Sequence, residues 1–267
     1  MTSLETLLVD LTHEQQELDQ VVATLDESAW RKPTPAEGWD IADTVGHLAY
    51  IDEVATSAVQ DPESFEKSTK AVLSGEFDLI GEHLKRSRTM SGEAILAWWR
   101  RARQDMVAAF SELDPKARVP WYGPSMSVMS FVTARLMETW AHGQDVFDAL
   151  GLKRQPTERL HHIALLGFNA LGFSFIAHGL KPPDEPVRVE LVSPSGQLWS
   201  WGDVNATNVV RGSALGFCLV VTQRRHIADT DLSTIGPIAK QWMEIAQAFA
   251  GPPGKGRSPD QFPRTTT

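Results

Sequence analysis

A single cysteine, Cys218, leaves no partner for an intrachain disulfide, which fits a reducing compartment. Basic residues are in deficit: 25 Lys and Arg stand against 34 Asp and Glu, a formal net charge of -9. That balance repels a phosphate backbone, and no Lys/Arg-rich run offsets it, so nucleic acid is excluded as an expected partner. No stretch is long and apolar enough to span a bilayer, so no membrane partner is expected. The opening residues MTSLETLLVDLTHEQQELDQ carry acids among their leucines instead of a basic start and an uncharged apolar segment, and do not read as a signal peptide. The expected compartment is therefore the cytoplasm. No internal repeat is visible, and 267 residues suffice for one large domain or two ordinary ones.

What is present is mostly helical periodicity. Leu4, Leu7, Leu8 and Leu11, resumed by Leu18, Val21, Val22 and Leu25, mark one apolar helix face. The turn-rich Arg31-Lys-Pro-Thr-Pro-Ala-Glu-Gly-Trp39 follows, and Asp40 with Asp43 reads as an N-cap and a helix-start acid for a second helix from about Ile41 to Val59. Residues 60–85 give little periodic signal and are expected to be a loop with short helical pieces, whereas Ile95, Trp98, Trp99, Met106, Phe110 and Leu113 mark a third helix. After Pro120-Trp-Tyr-Gly-Pro124, a long fourth helix is predicted from Ser125 to Leu150, ended by Gly151. A further apolar helix is expected from about Glu158 to His178.

The texture changes at Lys181-Pro-Pro-Asp-Glu-Pro186. Val187 to Val192 alternates as strands do, Pro194-Ser-Gly196 supplies a turn, and Leu198 to Trp201 alternates again, which predicts a hairpin. Helix-like faces over Ala214 to Thr222 and Ile235 to Ala250 complete a small α+β unit. The expected organisation is a helical domain over 1–180, an α+β domain over 181–250 and a flexible tail over 251–267, with the join in the proline-rich stretch.

Chemistry concentrates on the fourth helix. Glu138 and His142 are one turn apart on a single face, so a carboxylate oxygen and a neutral imidazole can share one ion; such donors suit zinc and other first-row divalent ions. His47, on the second helix, is the best candidate for a third donor. Arg135 and Asp145 fall on the same face as Glu138 and His142 and are the candidate catalytic residues. The planar fork of Arg135 suits a substrate carboxylate or, alternatively, a partner acid that it holds in place; Asp145 could orient a ligand histidine or serve helix pairing. Trp39 and Trp140 read as packing residues beside the donors, and Trp98 and Trp99 as core. His161 and His162, being neighbours on a helix, point about 100° apart and read as structural or exposed; Cys218, in an apolar run, reads as an inert buried thiol.

Two blocks carry a family resemblance. Trp30-Arg-Lys-Pro-Thr-Pro-Ala-Glu-Gly-Trp-Asp-Ile-Ala-Asp-Thr-Val-Gly-His47-Leu resembles the start of the mycothiol-dependent maleylpyruvate isomerase family, within the wider DinB-like metalloprotein superfamily. Arg135-Leu-Met-Glu138-Thr-Trp-Ala-His142-Gly-Gln-Asp145-Val resembles that family's metal helix. The resemblance implies a mainly α fold, a DinB-like four-helix bundle with a smaller sterol-carrier-like α+β domain, and His47, Glu138 and His142 as the metal ligands. It extends to Val210-Arg-Gly-Ser-Ala-Leu-Gly-Phe-Cys-Leu-Val-Val221; where the family often continues into a short Trp-Gly-Arg ending, this chain reads Val221-Thr-Gln-Arg-Arg-His226.

By this resemblance the expected protein is an enzyme dependent on a divalent metal, most simply Zn2+, that acts on a small organic substrate as a mycothiol-dependent isomerase or thiol transferase. A low-molecular-weight thiol, mycothiol, is then the second cofactor, reacting as its thiolate. The residues leave two alternatives open: a thiol-independent metal-dependent hydrolase, lyase, cyclase or isomerase, and a non-catalytic protein that binds a metal and an apolar ligand.

Overall fold

The fold is given by a computed structural model that describes residues 2–262. Two compact units divide the chain, Met1–Arg154 and Gln155–Thr267. The division falls after the fourth long helix, whereas the proline-rich stretch 181–186 was the expected join. The reason is packing: α8 (Leu160–Asn169), expected in the helical domain, lies against α10 (Ala214–Val221), and a Cβ added to Gly167 would meet Val221 at 2.7 Å. That approach is closer than real side chains tolerate, so the pair is bound into the second unit.

The first unit is a four-helix bundle. α1 (Leu4–Val22) packs on α6 (Gly92–Ser111) and α7 (Val128–Leu150), and α3 (Ile41–Gln60) packs on the same two. α2 (Glu27–Trp30) is a single turn between α1 and α3. The local signals act as the sequence suggests. Asp40 accepts from the Asp43 backbone N–H at 2.7 Å and the Asp43 side chain accepts from the Asp40 backbone, a capping box that fixes where α3 begins. Gly151 ends α7 in the left-handed region at φ 66°, where a side chain would be strained. The buried faces interlock Leu18, Ile41, Val45, Leu48, Ile95 and Trp99.

The stretch expected to be mostly loop is more regular than that. It holds α4 (Pro62–Leu73) and α5 (Leu79–Ser87), each started by an aspartate N-cap, Asp61 and Asp78. Apolar periodicity is weak in α5 because its buried residues are His83 and Ser87. Between α6 and α7, β1 (Arg118–Val119) and β2 (Met126–Ser127) form a short antiparallel ladder.

In the second unit α8 and α9 (Leu171–Ala177) are separate helices, bent by 56° at the break, where one was expected. The predicted hairpin is β3 (Val187–Val192) with β4 (Leu198–Trp201), antiparallel. β5 (Asn208–Ser213) joins β3 in parallel and β6 (Ser233–Ile235) adds antiparallel, giving the order β4-β3-β5-β6. α11 (Pro237–Ile245) follows β6 and packs on β5 and β6. Of the tail expected to be flexible, residues 251–262 include two docked backbone groups: the N–H groups of Asp260 and Phe262 donate to the Asp229 carboxylate at 2.9 and 3.3 Å. Residues 263–267 of that expectation lie outside the described residues. No single helix among the described residues is long and apolar enough to cross a membrane; the bent α8–α9 pair passes by length and composition only.

Candidate metal centre

α3 and α7 bring together the three donors that the sequence singled out. One ligand atom from each of His47, Glu138 and His142 lies within 4.8 Å of the others, all three residues being half-buried. His142 Nε2 stands 3.3 Å from Glu138 Oε2. Two donors each about 2.1 Å from one zinc ion at a tetrahedral angle stand about 3.4 Å apart, so the spacing of this pair suits a shared ion. The His47 and His142 rings are 4.8 Å apart between centroids. The chemistry of the set, two imidazoles and a carboxylate, fits a first-row divalent cation.

Asp145 stands behind His142. It is fully buried, one turn further along α7, with Oδ2 3.7 Å from His142 Nδ1. At that separation the two face one another across the back of the imidazole without a formed hydrogen bond. Of the two roles open to Arg135, substrate clamp or partner of an acid, the structure shows the second. It is buried, and its Nε and Nη2 donate to Asp52 Oδ1 at 3.1 and 2.9 Å. The acid it holds is Asp52, itself fully buried on α3. Burial pushes the Asp52 carboxyl up, while Arg135 pulls it back down. The pair ties the two helices that carry the donors to one another.

Trp39 walls the centre. Its ring lies 5.1 Å from His47 and 5.8 Å from His142, stacked on the latter at 12°. It also lines a cavity of about 500 Å³ shared with Arg31, Asp40, Asp43 and Arg88, whose charges are paired: Arg88 with Asp43 at 2.9 Å and Arg31 with Asp40 at 3.7 Å. Trp140 is core, with the Arg154 guanidinium 5.4 Å from its ring. The His161 and His162 rings stand 6.3 Å apart between centroids with their planes at 85°, and neither belongs to a donor group among the described residues. Burial pushes the Cys218 thiol well up, which keeps it protonated and unreactive.

A third histidine beside the donors was not anticipated. His83, on α5, is fully buried with its ring 4.9 Å from His47 and 5.0 Å from Trp39. The approach depends on Gly46, where an added Cβ would meet Ser87 Cβ at 2.7 Å. The readable signal was Asp78 as a cap with His83 and Ser87 one turn apart behind it.

Comparison with known proteins agrees with this architecture. The family model described as "Mycothiol maleylpyruvate isomerase N-terminal domain" matches residues 11–147, the stretch that holds all three donors. Two uncharacterized proteins of Mycobacterium tuberculosis, from strains CDC 1551 / Oshkosh and H37Rv, are each 44% identical over 250 residues, covering 94% of this chain and 97% of theirs. A crystal structure titled as the mycothiol-dependent maleylpyruvate isomerase matches 87% of this chain and 93% of its own with a TM-score of 0.59 at 16% identity, and a mutant of that isomerase matches equally well at 15%. At such identity the likeness carries the fold alone. The family match spans half the chain, and the protein belongs to the mycothiol maleylpyruvate isomerase N-terminal domain family.

Proposed function

We propose that the protein is a divalent-metal-dependent enzyme acting on a small organic substrate, with isomerisation or thiol transfer assisted by mycothiol as its reaction. The observation that carries this reading is the grouping of His47, Glu138 and His142 within 4.8 Å inside the stretch that the family model matches. A divalent ion held by these donors, most simply zinc, would favour the thiolate of a bound thiol or polarise a carbonyl. The protein's own contribution is positional. Asp145 places a buried carboxylate behind His142, the Asp52–Arg135 pair holds α3 against α7, and Trp39 covers one side of the donors with an apolar wall. The solved structure of like fold is a mycothiol-dependent maleylpyruvate isomerase.

The direct test is turnover of maleylpyruvate by the zinc-loaded protein with and without mycothiol. Turnover that needs both zinc and the thiol is the expected result. Turnover without the thiol would replace this reading by a thiol-independent metal enzyme, and no turnover with either, alongside tight binding of an apolar ligand, by a non-catalytic binding protein.

Acid is expected to release the ion. Histidine ligates through a neutral nitrogen, and the free ring has an unperturbed midpoint of about 6.5 that the ion lowers in the bound state. Protons therefore compete with the metal below about pH 6.5, and the loss should steepen toward two protons per ion well below about pH 6. Metal affinity measured by chelator competition across pH checks this. A proton dependence near zero between about pH 4 and 7 would mean that His47 and His142 are not both ligands.

A further inference from the structure

His83 is an anomaly of packing. Its side chain is fully buried, and neither ring nitrogen has a hydrogen-bond partner among the described residues. The Leu79 carbonyl, one turn earlier, stands near the ring as an acceptor but short of well-formed hydrogen-bond geometry. A neutral imidazole has one N–H donor and one lone pair, and leaving such a buried group unsatisfied costs roughly 1–3 kcal/mol. An aromatic hydrocarbon would fill the same space among Trp39, His47 and Tyr50 without that cost. A buried polar ring without a well-formed hydrogen bond from the protein calls for a partner from outside the chain.

Position narrows the partner. His83 is not one of the clustered donors, yet its ring centroid is as close to His47, at 4.9 Å, as that of His142 is, at 4.8 Å. In its neutral form the imidazole offers one N–H donor to such a partner. We infer that His83 is a recognition residue of the centre: its N–H donates a hydrogen bond to the anionic sulfur or oxygen atom of the small molecule taken up beside His47. The inference rests on the metal reading above and deepens it. It adds a contact that selects for an anionic acceptor, from a residue on an element outside the four long helices.

The test uses the full chain loaded with cobalt(II), whose visible spectrum reports on ligands entering the centre. The probes are 2-mercaptoethanol, as a thiolate source, and acetate, as an oxygen anion. In His83→Phe, cobalt uptake and chelator competition should match the parent and the apo protein should melt at the same temperature or higher, because an unsatisfied polar group has been removed. Affinity for at least one probe should fall roughly tenfold or more, the worth of one hydrogen bond to a charged acceptor, and the affected probe tells whether sulfur or oxygen is recognised. His83→Gln, which retains an N–H donor, should recover part of the loss. Unchanged affinity for both probes in His83→Phe overturns the inference while leaving the metal reading intact. A loss of cobalt in His83→Phe as large as in His142→Ala overturns it too, since His83 would then be a ligand. Absence of cobalt uptake by the parent chain sinks the underlying reading and this inference with it.

Discussion

Arg135→Leu is expected to lower the stability of the metal-free protein by about 3–5 kcal/mol, the cost of removing one partner from a buried ion pair. Both members are almost wholly enclosed, Arg135 at 3% and Asp52 at 0% exposure, so water cannot take over the role of the missing guanidinium. Asp52 would be left as a buried carboxyl already pushed up by burial, and protonation at neutral pH is its cheapest escape. Urea unfolding at neutral pH measures the effect. A second change separates charge from packing: adding Asp52→Leu to Arg135→Leu removes the stranded acid, and much of the stability should return, since apolar replacement of a whole buried pair is often neutral or better. The pair also supports the donors, because Asp52 follows His47 on α3 and Arg135 precedes Glu138 on α7. Metal affinity in Arg135→Leu is therefore expected to drop by roughly 10–100-fold, the usual effect of disturbing a ligand's supporting groups. A change within about 0.5 kcal/mol, typical of a surface site, would show that the pair does not hold the helices together.

The parts of the molecule that were legible in sequence are those whose information is local. The Asp40 and Asp43 capping box, the Gly151 stop and the leucine face of α1 set their helices from short-range rules, and the Val187–Trp201 hairpin followed from alternation around a Pro-Ser-Gly turn. The three donors were legible because two lie one turn apart on α7 and the third sits in a recognisable block. What escaped depends on distant packing. α5 buries a histidine and a serine, so hydrophobic periodicity is silent there, and only the fold shows that Gly46 admits it against α3. The role of Arg135 was ambiguous because helix counting shows which face a residue shares and not which acid reaches it from another helix. Asp52 supplied that acid from a position 83 residues away. β5 and β6 were missed because they do not alternate cleanly and their pairing with β3 and with each other is non-local, and the domain join because α8 gains its cover from α10, far along the chain.

The most direct measurement is elemental analysis of the purified protein beside His47→Ala, Glu138→Ala and His142→Ala. Three protein donors leave no redundancy, and loss of one removes a large part of a binding free energy that reaches about 10–16 kcal/mol in structural zinc sites. The expected result is about one divalent ion per parent chain, zinc under ordinary growth conditions, and a small fraction of that in each variant after dialysis. All three donors are half-buried and none belongs to the interlocked core of the bundle, so the variants should keep the parent's helical circular dichroism and report metal loss separately from unfolding. An unchanged metal content in all three folded variants would contradict the assignment and return α7 to the standing of an amphipathic core helix.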